Sequence, residues 1–119
     1  MMLYFRLKPS TIPGAGVGVF ATADIARGTV LTGLFASDDV QRLSWEEFAA
    51  LEVPAEVKEH FATRYEVECF VPRHFNRMSV GWYLNDSDSP NLAHDADYNY
   101  FALRDIKAGE ELFIRYDDL

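Results

Sequence analysis

The chain has 119 residues, a formal net charge of −8, 49% apolar residues and a single cysteine. That length fits one domain with its own core, and the acidic balance argues against a nucleic-acid-binding surface, which needs a basic footprint. Cys69 alone excludes an internal disulfide and a multi-cysteine zinc site, and nothing approaches the roughly 18 consecutive apolar residues of a membrane span.

Leu3, Phe5 and Leu7 alternate with Tyr4, Arg6 and Lys8, so Met1–Ser10 reads as a strand. No apolar stretch follows those charges, so a strand and not a signal peptide is expected there. Thr11-Ile12-Pro13-Gly14 is a turn, and Gly14, Gly16 and Gly18 then alternate. A dinucleotide fingerprint would need a third glycine where Val19 stands, followed by a helix, and a P-loop would need Gly-Lys-Ser/Thr. The glycines therefore serve a turn with positive φ or let a ligand approach the backbone closely.

Asp24-Ile25-Ala26-Arg27-Gly28-Thr29-Val30-Leu31 recurs near the other end as Asp105-Ile106-Lys107-Ala108-Gly109-Glu110-Glu111-Leu112. Each copy reads as a turn entering a strand, and the echo suggests that the two ends pair in space. Thr29–Ala36 is expected as strand. Ser44-Trp45-Glu46-Glu47 is a capping box that opens a helix running to about Glu52. Pro54 opens a second short helix with Val57 and Phe61 on one face. Tyr65, Val67, Cys69 and Val71 alternate with Glu66 and Glu68 as a strand, with Cys69 as apolar packing. Pro72-Arg73-His74-Phe75 breaks it, and Asn76–Leu84 is a helical turn or irregular chain. Tyr98–Leu103 and a final strand ending at Tyr116 follow, the latter with Leu112, Ile114 and Tyr116 on one face. Strands dominate and no βαβ alternation appears.

Ahead of these last two strands lies Tyr83–Asn91, whose Ser, Asp and Asn side chains compete with helix formation, so a turn-rich loop against the core is expected. Asp86, Asp88, Asp95 and Asp97 fail as a calcium loop, because Asn91 and Asp97 stand where Gly and Glu would be needed. No metal is expected. His60 and His74 read as structural.

Asn85-Asp86-Ser87 with Pro90-Asn91 resembles the Asn-His-Ser-x-x-Pro-Asn motif of SET-domain methyltransferases. Arg104–Tyr116 resembles that family's closing motif, and Gly14–Ala21 its opening Gly-x-Gly motif. The three occur in family order from about Ile12 to Tyr116. The resemblance implies a mainly β fold with short helices, β-clip-like with a C-terminal pseudoknot. It implies one domain over 1–119, with a helical insert at about 38–64 that shapes substrate choice. The implied activity is methyl transfer from S-adenosylmethionine to a lysine amine of a basic protein or peptide, a partner compatible with the negative charge. By the same resemblance Gly16, Val17 and Gly18 offer backbone contacts to the methionine part of the cofactor, and Asn85 bonds its amino group. Asp86, standing where histidine is usual, acts on the adenine through its backbone. Tyr116 is the catalytic tyrosine, and His94 faces the substrate channel. Neither nucleic acid nor membrane is an expected partner, and a cytoplasmic setting (nuclear in a eukaryote) is the default. Many relatives carry a further segment beyond the tyrosine that completes the site; the expectation is that here the middle insert does so, or a second subunit, as in a homodimer, or that the site is incomplete. The other reading, favoured by Asp86, is a SET-like binding or scaffold module without turnover.

Overall fold

The computed structural model describes residues 3–36 and 38–119. The strands are β1 (Phe5–Pro9), β2 (Val17–Ala21), β3 (Val40–Ser44), β4 (Thr63–Arg64), β5 (Glu68–Pro72), β6 (Asn85–Asp86), β7 (Leu92–His94), β8 (Tyr100–Ala102) and β9 (Glu111–Ile114). The helices are α1 (Trp45–Ala50) and α2 (Ala55–Lys58), and single 3₁₀ turns cover Val80–Tyr83 and Tyr116–Asp118. The fold is mainly β, as expected. No described helix is long and apolar enough to cross a membrane.

The chain divides into two compact units, one of residues 1–34 with 83–119 and one of 35–82. The first holds a four-stranded sheet in the order β1-β2-β9-β6. β1 pairs antiparallel with β2 through Leu7↔Val19, and β2 with β9 through Val19↔Leu112. β6 joins β9 in parallel, with Asn85 opposite Phe113 and Asp86 opposite Ile114. Val19 and Leu112 are fully buried at the centre, with Leu92 and Ile106 nearly so.

The duplicated sequence closes on itself. Ile25 and Ile106 form an antiparallel bridge, each N–H donating to the other's carbonyl at 2.8 Å. Asp24 Oδ1 accepts from Ala108 N–H and Asp105 Oδ1 from Arg27 N–H, both at 2.9 Å. Each aspartate thus supports the other copy's turn. Gly28 and Gly109 sit at φ +84° and +92°, which ordinary side chains resist, so both copies need glycine there.

Asn91 fixes the loop after β6. It is 1% exposed; its Nδ2 donates to the Glu111 carbonyl at 2.9 Å and its Oδ1 accepts from Phe113 N–H at 2.8 Å. One amide side chain therefore mimics a rung of strand pairing along β9.

The second unit pairs β3-β5-β4, with the capping box present as expected: Ser44 Oγ accepts from Glu47 N–H, and the Glu47 carboxylate accepts from Ser44 N–H. Phe48, Cys69 and Val71 form its core, and burial raises the Cys69 thiol pKa, consistent with inert packing. Lys58 is 8% exposed and donates to the Phe48, Ala49 and Leu51 carbonyls at 2.9, 3.3 and 3.1 Å, capping the end of α1.

Several boundaries differ from expectation. Thr29–Ala36 is not a strand: only Val30 bridges, to Phe101, and the chain then turns through Gly33 at φ +92°. Val40–Ser44 is a strand that the residue pattern did not suggest. Tyr65 and Val67 fall in the tight turn between β4 and β5, where Tyr65 N–H meets the Glu68 carbonyl. β9 ends at Ile114, and Tyr116 opens a 3₁₀ turn instead of extending the strand. Of the first expected strand, Met1 and Met2 lie outside the described residues.

Asn91→Ala should lower stability by about 2–3 kcal/mol, because a buried carbonyl and a buried amide both lose their partner. Urea denaturation at an unchanged m-value would show it. A midpoint equal to that of the parent would mean that the loop is held by something else.

Candidate active site

Glu111, the first residue of β9, is the centre of the site. It is 5% exposed, yet its carboxylate is ringed by donors. Ser10 Oγ lies 2.8 and 3.0 Å from the two oxygens, and Thr11 N–H and Thr11 Oγ1 each donate at 2.7 Å. Asn85 Nδ2 completes the ring at 3.1 Å. Burial raises the Glu111 pKa, but the hydrogen bonds from Thr11, Asn85 and Ser10 together outweigh it and hold the group below the usual carboxylate range.

Gly18 faces this carboxylate. A Cβ there would collide with Glu111 Oε2 and stand 3.2 Å from Asn85 Nδ2, so Gly18 makes room for the buried acid. Gly16 has a different reason: it turns at φ +76°, with nothing within 4 Å of where a side chain would begin. The loop it ends is closed by Ser10 N–H on the Gly16 carbonyl at 2.8 Å.

Asn85 joins the opening motif to the closing one. Its Nδ2 donates to the Val17 carbonyl at 3.0 Å as well as to Glu111. Both partners can only accept, so the amide orientation is forced and Oδ1 points the other way. Among the described residues, that oxygen takes no hydrogen bond.

Tyr116 is gripped by the segment it was expected to meet. Its hydroxyl donates to the Leu84 carbonyl at 2.6 Å, and its own N–H donates to Asp86 Oδ1 at 2.7 Å. Burial, then the Asp86 charge, raises the phenol pKa, so the group is a proton-bearing donor at neutral pH. Asp86 was expected to act through its backbone; what the structure shows is its carboxylate on the Tyr116 amide.

His94 contacts the Tyr116–Asp118 turn, and neither Glu111 nor Asn85. With Leu92, Ala93, Ile114, Arg115 and Asp118 it lines a cavity of about 180 Å³ that none of Gly16, Val17, Gly18, Asn85 or Tyr116 lines. Its ring stacks on Tyr98 at 4.7 Å, and its Nδ1 and Nε2 lie 2.8 and 3.0 Å from the Asp95 and Asp118 carbonyls. Asp95 spends its carboxylate on Asp97 and Asn99. Among the described residues, no three His, Cys, Asp or Glu groups are placed to hold a metal.

Glu111 and Asn91 were not singled out as site residues from the sequence. The available signal for Glu111 was an acid opening an otherwise apolar strand.

The small β fold brings Gly18 and Asn85 to one buried carboxylate, and the neighbours of Asn85, Leu84 and Asp86, hold the C-terminal tyrosine. The SET-domain family model matches residues 16–117, and the chain belongs to that family. SET domains are methyltransferase domains, and this is the broad class in which the chain falls. Among solved structures it is similar to a Plasmodium falciparum putative histone methyltransferase (TM-score 0.59, 18% identity, 98% of this chain and 95% of that one). It is also similar to a humanized mutant of Chaetomium thermophilum Polycomb Repressive Complex 2 bound to an inhibitor (TM-score 0.69, 22% identity, 100% of this chain and 16% of that one). An active polycomb repressive complex 2 in the basal state gives a TM-score of 0.70 at 23% identity, over 98% of this chain and 16% of that one. The chain thus spans a small part of the polycomb chains it matches. At these identities the likeness is one of fold. No curated protein matches the chain at a significant level.

Glu111 yields a pH test. A depressed folded-state pKa contributes stability above the ordinary glutamate value, about 4.3, and that contribution is lost as pH falls through the folded value. Glu111→Gln turns an amide NH₂ toward donors and should cost about 1–3 kcal/mol near neutrality. The gap to the parent should narrow as the solution is acidified. A gap that stays constant from neutral to acid pH would show that the charge on Glu111 contributes nothing.

Proposed function

We propose that the chain transfers a methyl group from S-adenosylmethionine to a lysine amine of a basic protein or peptide. The observation that carries this reading is the convergence of Asn85 and Tyr116, anchored on Val17 and Leu84 respectively. The cofactor, when bound, supplies an electrophilic methyl on a sulfonium, so the protein needs no metal or nucleophile of its own. The residues fit it. Asn85 Oδ1 offers an acceptor for an ammonium group, fixed by what its Nδ2 holds. The open space at Gly16 leaves backbone groups within a ligand's reach. Tyr116, held at hydroxyl and amide, presents its oxygen in a fixed place where an amine and a methyl group can be aligned. The net charge of −8 favours encounter with basic partners. The second reading, a module that binds without turnover, draws on Asp86 in place of the family's histidine.

Calorimetry with S-adenosylmethionine or S-adenosylhomocysteine should give saturable heat, and labelled methyl should enter basic proteins. Tyr116→Phe keeps the ring and should lower transfer on the order of a hundredfold, about 3 kcal/mol, with cofactor affinity nearly unchanged. Binding without any transfer would select the second reading. Transfer undiminished in Tyr116→Phe would remove that residue from the chemistry.

A further inference from the structure

Strand pairing ends at Ile114, yet Tyr116 sits beyond it in a single turn. Asp118 N–H on the Arg115 carbonyl (3.0 Å) and Leu119 N–H on the Tyr116 carbonyl (3.1 Å) close that turn. So short a turn does not hold itself, because its nucleus fixes several dihedrals for very few bonds. Two side chains from elsewhere hold it, one at each end. Asp86 takes the Tyr116 N–H at 2.7 Å, and His94 Nε2 lies 3.0 Å from the Asp118 carbonyl.

We propose that Asp86 and His94 are positioning residues that clamp the Tyr116 turn from its two ends and so aim the tyrosine hydroxyl at the Leu84 carbonyl. This rests on the reading of Tyr116 as the reacting-site tyrosine. The His94 half of the clamp needs an N–H on Nε2. Both ring nitrogens face carbonyl oxygens, which only accept, and a neutral imidazole carries one N–H where an imidazolium carries two. Both contacts are hydrogen bonds together only in the charged ring. The neighbours of the ring divide in their effect. Tyr98 stacks on it with planes 19° apart and offers a π face to a cation, while Tyr100 lies tilted at 5.5 Å. The Asp95 carboxylate, on the next residue, interacts favourably with the charged ring. Arg115 lines the same cavity and opposes it; Asp118, whose carbonyl His94 meets, and Asp117 belong to the clamped turn itself. Tyr98 also stands at φ +59°, rare for a bulky side chain, and in that conformation its ring covers His94.

The experiment is amide hydrogen exchange and methyl transfer on the full chain, comparing Asp86→Ala, Asp86→Asn and His94→Phe with the parent. Asp86→Ala and His94→Phe should each speed exchange at Asp118 and Leu119 about tenfold, the effect of one ordinary hydrogen bond, with Val19 and Leu112 unchanged. Asp86→Asn keeps an acceptor and should restore slow exchange; if it behaves like Asp86→Ala, the hydrogen bond is not what holds the turn. Transfer should fall about tenfold in the two opened variants with the cofactor dissociation constant unchanged. Exchange unaltered in both variants overturns the clamp. A parent that transfers no methyl while the exchange pattern holds would sink the catalytic reading and leave the clamp standing.

Discussion

A buried carboxylate that must find donors is the constraint around which the first unit is arranged. Glu111 enters the core end of β9 as an ion, and leaving it unpaired there would cost several kcal/mol. The chain meets that demand with donors from two segments far apart in sequence, Ser10 and Thr11 and then Asn85, while Gly18 leaves the room the acid needs. Each is thereby fixed relative to β9. The segments that carry the opening and second motifs are thus the segments the acid needs. A structural requirement and a candidate binding site share the same atoms, and any change at Glu111 disturbs both.

The strands are too short to do this by backbone pairing alone. β6 has two residues and β9 four, so few ladder bonds exist between them. Side chains supply the missing rungs. Asn91 bonds two backbone groups of β9, and Asp24 and Asp105 each support the turn of the other. These contacts are local in space and remote in sequence, which is why short polar residues stand where a longer sheet would carry Val or Ile. The same economy appears in the second unit, where the Lys58 ammonium closes the carbonyl end of α1.

What could be read from the sequence follows from whether the signal was local. The capping box at Ser44–Glu47 is a four-residue device and needs no tertiary context, so it appears as written. The echoed Asp-Ile-x-x-Gly-x-x-Leu units could be seen to be alike, and their likeness pointed to pairing. Thr29–Ala36 misled because its β-branched opening outweighed Gly33, whose φ of +92° ends any strand. β3 was invisible because Val40, Arg42 and Ser44 face solvent and only Gln41 and Leu43 are half-buried, a pattern with little apolar contrast. The Tyr116 position misled for a subtler reason. Leu112, Ile114 and Tyr116 keep strand alternation, but β6 stops opposite Ile114, and without a neighbour the chain coils. The roles of Glu111 and Asn91 depend on partners tens of residues away, which no local pattern encodes.

Asp86 contributes through its side chain as well as its place in the motif. The Tyr116 amide lies past the last rung of β9, so a side chain must supply its acceptor. A carboxylate and a neutral imidazole can both do so. They differ in charge, and the difference acts on the phenol. Burial, and then the Asp86 carboxylate, raises the Tyr116 pKa above the ordinary phenol value, at which the hydroxyl is already protonated near neutrality. That matters because the hydroxyl rests on the Leu84 carbonyl, which can only accept. A phenolate there would set two lone pairs against each other and release the ring. Aspartate at position 86 therefore acts on the tyrosine in two ways: its oxygen bonds the backbone amide, and its charge disfavours the phenolate that would release the ring from Leu84.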